Sequence, residues 1–278
     1  TGTKAHTKNL KNFHNAFASI YEGRYLAGIA AGMKLNAMIK EGKFEAKDAK
    51  IGYVGAYPYA EVKSGYTAFF LGVRSVCKEA TMEVQFTGSW YDEAKEKEAA
   101  TLLIGRGCKL ISQHADSMGA PTACESAGVP NVSYNGSTLD ACPNTFIVSS
   151  RINWVPYMKY MIECVRDNKA IDTDWCKGIN EGAVELTPIN EKVAAPGTAE
   201  AIKAAEEQFK AGTLHVFDTS TFTVDGKTLT SYMADVDTDE KFTPDTEVIS
   251  NGYFHESEKR SAPYFDINID GITLLNEG

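Results

Sequence analysis

The run Gln113-His114-Ala115-Asp116-Ser117 crowds a possible base, a carboxylate and a hydroxyl into five residues. Acyl-transfer triads bring such groups together from separated segments, so a contiguous trio is not a triad signal. Recognition of a ligand suits these residues better. The Asp116 carboxylate accepts hydrogen bonds from ring N–H or amino groups, although an Asp here also suits a helix N-cap. Trp90, after Gly88-Ser89, offers a flat ring to a flat ligand, at roughly 1–3 kcal/mol per stacked base, or packs as a core residue. Asn135 and Ser137 flank Gly136, where Asn-Gly is otherwise an ordinary turn signal. Tyr57-Pro58-Tyr59 and Asn153-Trp154 add two more aromatic segments. Together these residues suit a small aromatic ligand that also forms hydrogen bonds.

The sequence lacks the usual signatures of catalysis: G-x-S-x-G, a Walker loop, H-E-x-x-H and G-x-G-x-x-G. His6, His14, His215 and His255 stand alone and are assigned no role. No catalytic residue, metal site or cofactor is therefore expected. None of the six cysteines has C-x-x-C spacing. They read as buried free thiols or as disulfides; in an exported protein Cys124–Cys142 and Cys164–Cys176, which close short loops, are the first pairs to test.

The elements that must position these residues are legible as alternation. Apolar runs at Ile51–Tyr57, Met82–Gly88, Cys108–His114, Val129–Asn135 and Asn144–Ser150 read as strands, separated by helical patterns at Glu61–Lys78, Asp92–Arg106 and Met118–Ala127. Such alternation implies βαβ crossovers and a parallel α/β sheet, and ligands bind beyond the carboxyl ends of its strands. The candidate residues stand at or close to those ends. Ile20–Lys40 reads as a helix with Gly28 and Gly32 as close-packing sites, and Trp154–Asn168 as another. Thr198 is placed to cap a helix ending near Lys210, and Asp225-Gly226 to turn a hairpin. With 278 residues, 43% hydrophobic and 23% charged, the chain can bury one large or two ordinary cores. A net charge of −9 argues against nucleic acid as a partner, and no apolar run reaches membrane-spanning length. The start at Thr1 without Met reads as a processed, trimmed or partial chain.

Several ordered motifs resemble one family. The runs Ile20-Tyr21-Glu22-Gly23-Arg24-Tyr25-Leu26-Ala27-Gly28, Ile51-Gly52-Tyr53-Val54-Gly55 and Gly88-Ser89-Trp90-Tyr91-Asp92 resemble the basic membrane protein (BMP) family, substrate-binding lipoproteins of ABC transporters. Ile111–Ser117 and Asn153–Tyr157 resemble its purine-binding branch. The resemblance implies the periplasmic-binding-protein type I fold, two lobes each with a parallel sheet flanked by helices. It implies a monomeric receptor for a purine nucleobase or nucleoside, adenine-like above all, that serves ABC permease subunits outside the cytoplasm and is tethered by an N-terminal lipid on the precursor. Trp90 matches the family's aromatic position and Asp116 its acidic one, while Asn135, Ser137 and Asn153 match loosely. The implied layout places residues 1–50 and 146–170 in lobe 1, whose N-terminal part is missing. Residues 51–145 and 171–212 form lobe 2, and 213–278 form a peripheral hairpin and tail. An enzyme acting on purine nucleosides and a ligand-sensing domain of the same fold are the alternative readings.

Overall fold

The computed structural model describes residues 4–237 and 245–277. The polar opening holds one turn of helix, α1 (Ala5–Lys8), before strand β1 (Asn15–Ala18) and the long helix α2 (Ile20–Lys40). The alternating part follows as β2 (Lys50–Gly55), α3 (Ala60–Val76), β3 (Thr81–Phe86), α4 (Glu93–Gly105), β4 (Leu110–His114), α5 (Gly119–Ala127), β5 (Asn131–Tyr134) and β6 (Phe146–Ile152). Next come α6 (Val155–Arg166), β7 (Asp174–Lys177), β8 (Val184–Leu186) and α7 (Thr198–Lys210). The remainder carries the two-residue strands β9 (Met233–Ala234), β10 (Thr246–Glu247), β11 (Ile249–Ser250) and β12 (Tyr253–Phe254), then β13 (Ile272–Leu274).

One seven-stranded sheet runs β13-β3-β2-β4-β5-β6-β8. Every pairing is parallel except that of β6 with β8. Strands covered on both faces read as continuous apolar runs. The central strand β2 fits that pattern, with Ile51, Tyr53 and Val54 fully buried.

Helix α2 lies against this sheet and not with the first lobe, where the sequence layout placed residues 1–50. Its partner is α3, and the two backbones meet at glycines. A Cβ on Gly28 would lie 2.1 Å from the Phe69 carbonyl oxygen, and one on Gly72 2.1 Å from that of Tyr25. The close-packing reading of Gly28 and Gly32 thus holds, and it explains why α2 tolerates residues that weaken a helix.

Strands β1 and β7 form a separate two-stranded parallel sheet, joined by α6 through Phe17, Tyr157 and Trp175. The layout had β6 in lobe 1 and β7 in lobe 2; the pairings place β6 between β5 and β8, and β7 on β1. Ile147 and Val148 are fully buried and belong to the large core, which explains the first difference. The chain therefore crosses between the two sheets near Ser19, Asn153 and Gly178. Two of the crossings are tied together by Ile179 N, which donates to Glu22 Oε2 (2.7 Å), and within the last one Gly178 N donates to Glu181 Oε2 (3.0 Å).

The stretch expected to be peripheral contributes to the main core. Phe217, Phe222, Phe254 and Phe265 are buried there, with the Phe217 and Phe265 rings stacked at 4.4 Å. Near the end, Asn276 clasps the backbone of Phe86, accepting from its N–H (2.8 Å) and donating to its carbonyl (3.0 Å). Asp225-Gly226 turns as expected, both at positive φ, between bridged Val224 and Lys227. At α7 the N-cap is Gly197, and the Thr198 hydroxyl donates back to the Ala195 carbonyl instead of capping. The six cysteines are free thiols, so neither proposed disulfide is formed.

Candidate functional site

Beyond the carboxyl ends of the strands the chain gathers a row of rings. Tyr57 follows β2 and stacks on Tyr59 at 5.0 Å. Trp90, in the loop after β3, lies 5.6 Å from Tyr57, 6.4 Å from Tyr59 and 6.2 Å from His114 at the end of β4. His114 in turn meets Tyr134 at the end of β5, at 4.8 Å. The loop that presents Trp90 starts at Gly88, whose φ of 69° favours glycine. Thr87 Oγ1 donates to the Ser89 carbonyl (2.9 Å), and Asp116 N donates to the Trp90 carbonyl (2.9 Å), which ties the β3 loop to the β4 loop.

The five residues Gln113–Ser117 point to different tasks. His114 is 1% exposed, and burial together with the Arg24 charge lowers its pKa well below the ordinary value, so it is neutral and shielded from a ligand. Ser117 belongs to the helix start: its N–H donates to the buried Glu96 carboxylate and its Oγ accepts from Gly119 N. Asp116 alone faces outward. It does not cap α5; its Oδ1 accepts from Asn135 Nδ2 at 2.9 Å. Burial raises its pKa, while the Asn135 bond and the Arg24 charge pull the other way. Half-buried Trp90 and Tyr57 thus stand near a carboxylate–carboxamide pair, apolar surface beside hydrogen-bonding groups.

Glu96 supports that pair. It accepts from the amides of Asp92 and Ser117, while Asp92 caps α4 by accepting from Lys95 N (3.1 Å).

Other expected site residues are placed elsewhere. Ser137 accepts from Leu139 N in the turn after β5. Asn153 Oδ1 accepts from Val155 N at the start of α6, and Trp154 lies edge-on to Tyr157 in the ring group around Trp175. The structure therefore gathers Tyr57, Trp90, Asp116 and Asn135, and sets Asn153 and Trp154 at a crossing between the sheets.

Two participants went unread in the sequence. Arg24, from α2, is 1% exposed and lies with its guanidinium carbon 3.6 Å from the Tyr134 ring centre. Glu61, at the start of α3, has its pKa raised by burial, with Arg24 and Asp116 acting on it in opposite directions. A lone arginine within an apolar helical stretch was the available signal for Arg24; nothing marked Glu61.

A parallel sheet with ring and carboxylate groups at its strand ends, and three crossings to a second sheet, is the periplasmic-binding-protein type I fold, the architecture of solute-binding proteins. A solute-binding protein of Aeropyrum pernix superimposes with a TM-score of 0.64 at 16% identity, over 78% of this chain and 68% of that one. The chain belongs to the Bmp family, ABC transporter substrate-binding proteins of the PnrA-like type, whose model matches residues 3–213. That family binds substrate and does not convert it. Among relatives, a provisionally named ABC transporter glucose-binding protein of Haloferax volcanii is 32% identical over 76% of this chain and 51% of its own length. A purine-binding protein of Brucella abortus is 29% identical over 72% and 55% respectively. The chain thus spans about half the length of these relatives.

Proposed function

We propose that this chain is the ligand-binding part of an ABC-transporter solute receptor whose strand-end site takes a purine nucleobase or nucleoside. The observation that carries this reading is the placement of Trp90, Tyr57 and Tyr59 beside the bonded pair Asp116–Asn135. A purine needs both parts: a flat face to stack on and an acceptor for its amino or ring N–H groups. The Brucella abortus purine-binding relative supports the ligand class. In this reading the receptor is a monomer outside the cytoplasm, lipid-tethered through its precursor, and hands ligand to permease subunits. Among the described residues no helix is long and apolar enough to cross a membrane. Titration calorimetry with adenine, guanine, adenosine and glucose tests the proposal. Heat from at least one purine and none from glucose is expected; saturable binding of glucose alone would replace the ligand class.

A further inference from the structure

We propose that Arg24 is a positioning residue of the strand-end site: from behind Tyr134 it braces the row of rings, and its positive charge favours Asp116 as an anionic acceptor for ligand N–H groups. This rests on the purine reading above. Arginine remains charged in proteins, and a buried charge without a partner is costly. Arg24 spends Nη1 on the Gln113 carbonyl (2.8 Å), while its Nε and Nη2 have no hydrogen-bond partner. Its guanidinium also lies over the face of Tyr134 at 3.6 Å, close enough for a cation–π interaction.

The fold makes room for this arrangement. A Cβ on Gly65 of α3 would lie 2.7 Å from His114 Nδ1 and 3.6 Å from Arg24 Nε, so α3 is notched where the guanidinium and the imidazole pass. His114 separates Tyr134 from Trp90, and Tyr134 leads directly into Asn135, the partner of Asp116. Displacing Arg24 therefore disturbs both the plate and the polar pair without the arginine touching ligand.

The groups acting on Asp116 come from each surrounding element. Arg24 of α2 is the cation among them, Asn135 donates a hydrogen bond, and Glu61 of α3, Glu96 of α4 and Tyr134 of β5 each interact with the carboxylate electrostatically. With the cation removed, no positive charge offsets the neighbouring carboxylates and Asp116 takes up a proton more readily.

The test is a carbon-13 NMR titration of the Asp116 carboxyl in the ligand-free protein, paired with adenine affinity measured from pH 4 to 8. Arg24→Met is expected to raise the Asp116 midpoint by about half a unit or more and to move the acid limb of adenine affinity upward with it. Arg24→Lys, which keeps the charge but cannot lie flat on Tyr134, is expected to restore the midpoint while adenine binding stays weaker than in the parent. An unchanged midpoint in Arg24→Met overturns the proposal. Loss of fold in both Arg24→Met and Arg24→Gln, with Arg24→Lys folded, overturns it too, since the charge then serves the core. A shifted midpoint, in a protein whose parent binds none of adenine, guanine and adenosine, upholds the coupling to Asp116 and defeats the purine reading instead.

Discussion

At the scale of single residues, the site asks different things of Trp90 and Asp116. If Trp90 is the stacking plate, Trp90→Ala leaves the fold intact and weakens purine binding by about five- to 150-fold, the equivalent of roughly 1–3 kcal/mol. Unaltered affinity in calorimetry would return Trp90 to the role of a packing residue. Asp116→Asn replaces an acceptor with a group that also donates. The expected outcome is a changed ranking of adenine against guanine, and equal loss for both would count against Asp116 reading the base edge. Glu22 offers a separate test at the crossing between the sheets. Burial is the main cause that lifts its pKa from 4.5 to about 7, with Glu181 adding to the rise and the Ile179 N–H opposing it. A carboxyl that holds its proton more tightly when folded contributes stability that is complete below its unfolded pKa and disappears as pH rises through the folded one. From about pH 4.5 to 7 the parent should lose on the order of 3 kcal/mol that Glu22→Gln retains. Urea unfolding of both proteins across that range checks it, and a constant difference between them would show that Glu22 does not carry the slope.

At the scale of elements, the strands were legible because buried parallel strands leave near-continuous apolar runs, and β2 to β6 each fall within a few residues of where those runs lie. Helix α2 was legible as a helix and its glycines as contacts. The partner was not, since the Phe69 and Tyr25 carbonyls that meet Gly28 and Gly72 belong to a pairing no local pattern encodes. The same holds for the site. Tyr57, Trp90, Asp116 and Asn135 follow directly on strand runs and could be found by reading along the chain, whereas Arg24 reaches them from a helix that precedes the sheet. The large-core Phe residues of the last segment sit among loops, without a period to announce their burial. The helix contact itself is testable: Gly28→Ala and Gly72→Ala each force a methyl group onto a carbonyl and should cost about 1–3 kcal/mol, with ring-row residues unaffected in the folded fraction. Wild-type melting of both variants would mean that α2 and α3 can separate without cost.

At the scale of the whole molecule, the two sheets are unequal. The seven-stranded sheet is covered by helices and by the last segment, while the β1–β7 pair has α6 beside it, and α6 leaves Val155, Ile162 and Val165 each about two-thirds exposed or more (68%, 67% and 72%). Few buried contacts and short ladders mark regions that open first. Amide exchange should therefore be slowest in β2, β3 and β4 and faster in β1, β7 and α6; uniform protection would show that the small sheet is held as firmly as the large one. Strand β13 and the Asn276 clasp add a consequence for the life of the protein in a cell. They occupy the outer hydrogen-bonding groups of β3, a strand carrying Met82, Val84 and Phe86 that would otherwise be open to strands of other molecules. A protease or premature stop that removes the segment after Asp270 would leave the strand-end rings in place yet uncover a sticky border, so the damage would be read first as insolubility and clumping, well before any loss of ligand recognition.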